Sequence, residues 1–105
     1  MLLGSVVRRI LAFREPVDMR KSFDGLVAVV ENVLQEDSLT GTMYVFVNRR
    51  GNYLKLVFWD RTGYALFAKR LERGRFVIPG GDRKQDLTER ALELILDGIV
   101  VDRRR

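Results

Sequence analysis

Two connectors of the same design lie between apolar runs in the middle of the chain, and they restrict its fold more than any other feature. Residues 48–51 read Asn-Arg-Arg-Gly, and residues 60–63 read Asp-Arg-Thr-Gly. Asn or Asp favours the first position of a type I turn, and Gly accepts the left-handed conformation of the bulge that follows such a turn. Residues 43–76 therefore predict a three-stranded antiparallel meander built from two similar hairpins.

The length of these turns decides which side chains share a face of the predicted sheet. Three-residue loops place Asn48 opposite Asn52 and Asp60 opposite Tyr64, and a shift of one residue would turn a strand over. One face then collects apolar side chains that predict the core: Tyr44, Phe46, Leu54, Leu56, Phe58, Tyr64, Leu66 and Ala68. The other face is also largely apolar and collects Val45, Val47, Tyr53, Lys55, Val57, Trp59, Ala65, Phe67 and Lys69.

In this register Lys55 and Lys69 lie opposite each other on the second face. Like charges in that position disfavour strand pairing. Two alternatives follow. Either an anion lies between the two ammonium groups, or the two side chains turn to solvent at the rim of the sheet.

The segment before the meander predicts a strand and a helix. Residues 9–13 form a short β-like run that adds a strand beside the meander. Apolar residues then recur every three or four positions, which predicts a helix over about 19–35. Asp18 precedes this helix and is a residue type that favours the N-cap position.

The segment after the meander predicts a second helix and two short strands. Residues 86–89 have the spacing of a capping box, so a helix is expected over about 87–96. Gly98 is placed to end that helix in a left-handed conformation. Residues 77–79 and 99–101 each predict a brief strand.

These elements predict an α+β fold, an antiparallel β-meander of three or more strands with one helix before it and one helix after it. The length fits a single domain over residues 1–105. Residues 80–85 predict a flexible segment, and residues 102–105 predict a frayed tail.

The reactive side chains of the sequence are few. It contains no cysteine and no histidine, which excludes disulfides, thiolate nucleophiles, Cys/His zinc sites and histidine acid–base catalysis. Asp18, Asp24, Asp60 and Glu72 are the acids near apolar elements, and their spacing does not predict a carboxylate-held metal site. We therefore expect no enzymatic activity, no catalytic residues, no metal site and no cofactor.

Membrane insertion is also not expected. No apolar run approaches the roughly 20 residues that a bilayer requires. The first residues lack the basic start and the length of a signal peptide. A cytoplasmic protein without membrane contact is the expectation.

Positive charge is concentrated in the meander and the segment that follows it. Residues 49–75 carry 8 Lys or Arg and 2 Asp or Glu, a local net charge of +6, whereas the whole chain carries +5. A focused basic region indicates a polyanionic partner, most simply nucleic acid. The alternative is that these charges only keep the surface soluble.

Three blocks in the same order resemble the signature of a known family. They are residues 16–26 (PVDMRKSFDGL), residues 46–51 with 55–60 (FVNRRG and KLVFWD), and residues 63–64 followed by 69–76 (GY and KRLERGRF). The family is the small accessory protein, often called TnpB, encoded by the second open reading frame of insertion sequences of the type numbered sixty-six. It is unrelated to the RNA-guided nucleases that share that name. Ser22 stands where the family pattern has glycine, and this change leaves a helix intact.

The resemblance implies a bacterial mobile-element protein that accompanies a larger transposase and a second small accessory protein. The transposase carries the catalytic acids. No catalytic residue or cofactor is implied for this chain. DNA at the element ends is a candidate partner, and self-association into a homo-oligomer is left open.

Combined with the charge distribution, the resemblance leads to a hypothesis for the site. The basic meander contacts element DNA or the transposase, and its cations bind phosphates without reading the sequence. The candidate nucleic-acid-binding residues are Arg49, Arg50, Lys55, Arg61, Lys69, Arg70, Arg73 and Arg75. The candidate partner-binding residues, able to stack on unpaired bases, are Tyr53, Trp59 and Phe67. For Trp59, packing in the interior is the favoured alternative.

The alternative hypothesis is a protein–protein interaction module without direct DNA contact. In that case the apolar second face docks on the transposase or on another copy, and the arginines only solubilise the complex.

Overall fold

The computed structural model of this chain describes residues 7–100. Its elements are β1 (Arg9–Phe13), α1 (Phe23–Ala28, continued by a π-helical segment Val29–Val33), β2 (Thr42–Val47), β3 (Tyr53–Trp59), β4 (Tyr64–Arg70), β5 (Lys84–Leu87) and α2 (Glu89–Leu96). The five strands form one sheet in the order β4-β3-β2-β1-β5. The tail predicted to fray at 102–105 lies outside the described residues.

The α+β class is confirmed, but the prediction of a purely antiparallel sheet is wrong. β2, β3 and β4 form the expected meander, whereas β1 pairs with β2 in parallel. Parallel neighbours require a crossover, and α1 provides it between β1 and β2. β5 adds to the other side of β1 in antiparallel orientation. The helices therefore do not simply flank the meander, because β1 precedes α1 and β5 lies between the meander and α2.

The predicted register of the meander is also wrong, by one residue at each turn. Asn48 lies opposite Tyr53, so the first loop holds the four residues 49–52. The Asn48 side-chain oxygen accepts the backbone N–H of Asn52 (3.0 Å) and of Tyr53 (3.1 Å), which closes this wider loop. Asp60 instead lies opposite Gly63, which leaves a two-residue loop.

The tighter second turn depends on an unexpected residue. Arg61 adopts a left-handed backbone with φ of 57°, while Gly63, the residue predicted to do so, does not have a positive φ. In the first turn Gly51 behaves as predicted, with φ of 74°. The two connectors therefore share a sequence pattern but not a conformation.

The two register shifts have opposite directions, so β2 and β4 keep their relative orientation and β3 turns over. Lys55 and Val57 of β3 join Tyr44 and Phe46 on one face, and Leu54 and its alternate neighbours move to the other. Each face of the sheet carries its own hydrophobic core. The core under α1 is formed by Leu11, Phe13, Val17, Leu26, Val30, Leu34, Tyr44, Phe46 and Val57. The core under α2 is formed by Ile10, Ala12, Met43, Val45, Val47, Leu54, Leu56, Phe58, Phe76, Leu92 and Ile95.

The first helix is shorter than its apolar pattern predicts. It begins at Phe23 with Ser22 in the N-cap position, so the assignment of Asp18 as N-cap is wrong. Asp18 instead accepts the backbone N–H of Arg20 at 2.9 Å in a local turn that precedes the helix. The helical segment ends at Val33, just before Gln35, whose φ of 58° is incompatible with a further helical turn.

The second helix has the predicted end and a different start. Its N-cap is Thr88, whose hydroxyl oxygen accepts the backbone N–H of Ala91 at 3.0 Å. Gly98 ends it with φ of 76°, as predicted. Residues 77–79 and 99–100 are not strands, whereas Lys84 and Gln85, assigned to the flexible segment, begin β5. Val101, the last residue of the predicted final strand, lies outside the described part of the chain.

Candidate nucleic-acid interface

The turn between β2 and β3 and the segment after β4 bring arginines from distant positions together. Residues 71–76 fold back against this turn: the backbone N–H of Leu71 donates to the Asn52 carbonyl (2.9 Å), and that of Phe76 donates to the Gly51 carbonyl (2.7 Å). A Cβ placed on Gly51 would lie 3.6 Å from the Cβ of Arg75. The two segments are therefore in van der Waals contact, and their arginines share one end of the sheet.

Three adjoining depressions meet at Arg50 on this end of the molecule. Their volumes are about 540, 230 and 310 Å³, and Arg50 lines all three. Six exposed arginines line one or more of them. Arg20 is bound to Asp18, and we name the other five the arginine surface: Arg14, Arg49, Arg50, Arg73 and Arg75. The three depressions adjoin at Arg50, an arrangement that suits an extended ligand better than a small molecule.

The charge of the arginine surface is not neutralised by nearby acids. Within residues 7–100, none of its five guanidinium groups forms an ion pair with a carboxylate. Each acid that borders it is bound to a basic residue outside the set. These pairs are Glu15 with Arg83, Asp18 with Arg20, and Glu72 with Arg70. The arginine surface therefore presents unpaired positive charge to solvent, as an anion-binding site requires.

The Asp18–Arg20 pair is strong enough to keep its carboxylate ionised in acid. The Arg20 side chain donates to the Asp18 carboxylate at 2.7 Å, and its backbone N–H donates at 2.9 Å. The side-chain bond first and the backbone bond second lower the pKa of Asp18 from 3.8 to about 2. This pair borders the largest depression, where Arg20 is already engaged.

The predicted basic residues fall into separate groups. Arg49, Arg50, Arg73 and Arg75 lie together, and Arg70 lies at the same end of the sheet, opposite Tyr53. Arg61 lies at the far end of β3, roughly 20 Å away at about 3.3 Å per strand residue, with its Nε 4.0 Å from the Asp60 carboxylate. Arg61, which the sequence analysis placed in the same candidate site, is therefore distant from the other arginines of that site.

Lys55 and Lys69 serve the fold, and the prediction that they face each other is wrong. Lys55 lies opposite Ala68 and Lys69 opposite Leu54, on opposite faces of the sheet. Lys55 is 8% exposed, and its ammonium donates to the carbonyls of Met19 (2.8 Å) and Lys21 (2.7 Å). Neither predicted alternative is correct for Lys55, because its ammonium group binds backbone carbonyls rather than an anion or solvent.

Lys69 has a similar role on the other face. Its ammonium donates to the carbonyl of Leu96, the last residue of α2, at 2.7 Å. Positive charge at the carboxyl end of a helix is favourable because the last carbonyls lack partners in the helix. Lys69 therefore attaches the end of α2 to the sheet, and Lys55 attaches the segment before α1.

The three candidate aromatic residues do not form one surface. Tyr53 lines the largest depression, with the Lys55 ammonium 5.7 Å from its ring centroid. Trp59 lies at the other end of β3 in an edge-to-face contact with Tyr64, at 5.0 Å between centroids. Phe67 lies on the opposite face and is 41% exposed. Tyr53 alone is placed beside the arginine surface.

Sequence reasoning missed Arg14. It precedes the proline-containing segment 15–16, so the sequence pattern reads it as a residue at a strand end with no further role. The β1–β2 pairing carries it to the same end of the sheet as Arg49, and it lines one of the three depressions. No local signal identifies it, because its position depends on the crossover connection.

Two other kinds of site are absent from the described residues. Within residues 7–100, no three acidic side chains converge in a way that would hold a metal ion. Over the same residues, no helix has the length and apolar character needed to cross a membrane.

Comparison with known proteins identifies a family. The family model described as "IS66 Orf2 like protein" matches residues 8–105. The uncharacterized protein y4jC of Sinorhizobium fredii (strain NBRC 101917 / NGR234) is 39% identical over 71 residues, 68% of this chain and 61% of that protein. The uncharacterized protein y4hO of the same strain is 45% identical over 65 residues, 62% of this chain and 56% of that protein. No solved structure matches the chain.

The matched part of this chain spans about three fifths of the length of each of these relatives. The family match is broader, because it extends from just before β1 through both helices and includes every block that carried the resemblance in the sequence. The resemblance is thereby confirmed, and the chain belongs to the IS66 Orf2-like family.

Proposed function

We propose that this protein is an accessory factor in the transposition of an insertion sequence of the IS66 type, and that it contacts the DNA of the element through the arginine surface. The observation that carries the proposal is the gathering of Arg14, Arg49, Arg50, Arg73 and Arg75 on one end of the sheet, without carboxylate partners among residues 7–100. Family membership supports the transposition role.

The geometry favours contact with phosphates over reading of bases. The five arginines lie in the connections after β1, between β2 and β3, and after β4, so none of them belongs to a helix or strand that could enter a groove. Guanidinium groups bind phosphate oxygens in a fork-like geometry and carry no sequence information in that mode. The protein would therefore hold DNA in place, while the bond-breaking steps belong to the transposase.

Tyr53 provides a second type of contact in the same depression. Its ring is half-buried beside Asn48, Arg49 and Arg50. An aromatic ring next to arginines suits stacking on an unpaired base, which contributes about 1–3 kcal/mol per base. Trp59 and Phe67 are not part of this contact, because they lie at the other end of the sheet and on its other face.

Salt dependence of binding to a labelled duplex element end tests the proposal. Five phosphate contacts predict a slope of log K against log salt concentration of about −4.5, or a loss of roughly 500-fold in affinity between 50 and 200 mM salt. Arg49→Gln with Arg50→Gln should reduce the steepness of that slope by about 2. Arg61→Gln is the matched control, since it removes an exposed turn arginine from the far end of β3 and should leave binding nearly unchanged.

Two results would contradict DNA contact through the arginine surface. One is a weakening by Arg61→Gln as large as that caused by Arg49→Gln with Arg50→Gln. The other is the absence of DNA binding at low salt, with and without transposase. If the protein bound transposase under those conditions with little salt dependence, the alternative of a protein-interaction module would be supported instead.

A further inference from the structure

The two edges of the sheet differ in how they are protected. β5 is a four-residue edge strand that contains Lys84 and Asp86, and short charged edges resist pairing with other chains. β4 is a seven-residue edge strand, and its middle residues, 65–68, carry no charge. Phe67 at its centre is 41% exposed. A long, uncharged edge of this kind is a template for another strand.

Hydrogen bonds at both ends of β4 show which of its backbone groups point outward. Asp60 N–H donates to the Gly63 carbonyl at 2.7 Å, and Leu71 N–H donates to the Asn52 carbonyl at 2.9 Å. Residues whose backbone groups bond to β3 alternate along the strand. The N–H and C=O groups of the odd-numbered residues therefore point towards β3. The outward N–H and C=O groups belong to Tyr64, Leu66, Ala68 and Arg70. Among residues 7–100, no hydrogen bond outside the sheet ladder reaches them.

We propose that β4 pairs in antiparallel orientation with β4 of a second copy, across a two-fold axis that passes beside Phe67. An axis perpendicular to the sheet keeps α1 of both copies on the same face. Odd-numbered residues must then pair with odd-numbered residues of the partner, and even-numbered residues with even-numbered ones. Centring on Phe67 places Tyr64 opposite the partner's Arg70, and Leu66 opposite the partner's Ala68. All four outward residues of each copy then form ladder pairs, giving up to about eight hydrogen bonds.

The side chains fit this register. Phe67 faces the partner's Phe67 at a pair without ladder hydrogen bonds, where Cα atoms approach to about 4.5 Å and side-chain contact is closest. The cationic end of one strand, Lys69 and Arg70, meets the uncharged aromatic end of the other. A parallel arrangement would instead bring cations of the two copies together. A single self-complementary patch is sufficient, as in most two-fold dimers.

The inference is independent of DNA contact, because β4 contributes none of the five arginines of the arginine surface. It predicts a continuous ten-stranded sheet with the arginine surfaces of the two copies on opposite sides of the axis. Sedimentation equilibrium of the full chain should give twice the 12.2 kDa of one copy.

A charge-swap experiment tests both the strand and the register. Phe67→Lys and Phe67→Glu, each alone, should sediment as monomers, because like charges then face each other across the axis. An equimolar mixture of the two should recover the mass of a dimer. Circular dichroism checks that each variant is folded, and recovery in the mixture shows folding independently.

A cross-linking experiment provides a second measurement, since the chain has no native cysteine. Phe67→Cys should form an intermolecular disulfide under mild oxidation, because the Cα separation at the axis lies within disulfide range. Ala68→Cys is the matched control. Residue 68 of one copy is offset by two residues along the strand from residue 68 of the other, so their Cα atoms lie more than about 7 Å apart and the variant should not cross-link.

A monomeric full chain at about 1 mM would overturn the proposal. So would a dimer that survives both Phe67→Lys and Phe67→Glu, or cross-linking at Ala68→Cys in preference to Phe67→Cys. Any of these results would mean that β4 does not pair with β4 of a second copy in this register.

Discussion

Lys55 allows a quantitative test of how the segment before α1 is attached to the sheet. Its ammonium group donates to two backbone carbonyls, those of Met19 and Lys21, at 2.8 and 2.7 Å, and the residue is 8% exposed. Hydrogen bonds that involve a charged group contribute about 1.5–3 kcal/mol each. Lys55→Met keeps the length of the apolar stem and removes both donors. Because part of the loss is offset by the easier burial of a thioether, we expect the free energy of unfolding to fall by about 2–4 kcal/mol.

A series of three variants separates this effect from the loss of a positive charge. Lys69→Met removes one ammonium bond, to the Leu96 carbonyl, and should cost about half as much. Lys21→Met removes an exposed ammonium that forms no hydrogen bond among residues 7–100 and should change stability by less than about 0.5 kcal/mol. Urea unfolding monitored by Trp59 fluorescence gives the three values, provided that the slope of each transition is unchanged.

Amide hydrogen exchange locates the effect. In Lys55→Met, exchange should accelerate first at residues 19–22, because those carbonyls lose their attachment to β3. The reasoning would be refuted if Lys55→Met had the same free energy of unfolding as the unsubstituted protein, or if Lys21→Met were destabilised as much as Lys55→Met. Either result would mean that the two short contacts contribute no net stability.

Three further predictions concern local structure. Arg20→Ala should raise the pKa of Asp18 from about 2 towards 3.8, measured by carboxyl NMR titration. A carboxyl group with a lowered pKa adds stability above its pKa in the unfolded chain, and this stability is lost as the pH falls through its pKa in the folded protein. Acid unfolding of the variant should therefore begin at higher pH. Thr88→Ala should cost about 1 kcal/mol in urea unfolding by removing the cap on the Ala91 N–H, while Thr88→Ser should retain it. Arg61→Gly should stabilise the protein by up to about 1 kcal/mol, because its φ of 57° is unfavourable for a residue with a Cβ; a lower melting temperature would contradict this assignment of strain.

Local sequence patterns were sufficient where the structure depends on neighbouring residues. The three meander strands, the strand at Arg9–Phe13 and the end of α2 at Gly98 all follow from apolar runs and a few turn or cap residues. The three ordered blocks were likewise sufficient to indicate the family that the comparison confirmed. These features depend on backbone preferences over a few residues, which the sequence expresses directly.

The register of the meander could not be obtained in this way. Both turns carry the same pattern, yet the Asn48 side chain widens the first loop and Arg61 tightens the second. The energies that separate such turns are small compared with those of burying both faces of β3, and β3 is apolar on both faces. Because the alternation of apolar and polar residues was absent, sequence alone provided no signal for the orientation of the strand.

The composition and order of the chain determined by themselves that this protein has a basic meander, two helices and no histidine or cysteine chemistry. Only the tertiary structure decided that β1 runs parallel to β2 and that Arg14, Arg49 and Arg75 share one end of the sheet. It also decided that Lys55 holds the segment before α1 and that Lys69 holds the end of α2. The physical reason is the separation along the sequence over which each interaction acts. Turn and helix preferences act between residues a few positions apart, whereas the arginine surface exists because burial of two cores brings together segments separated by tens of residues.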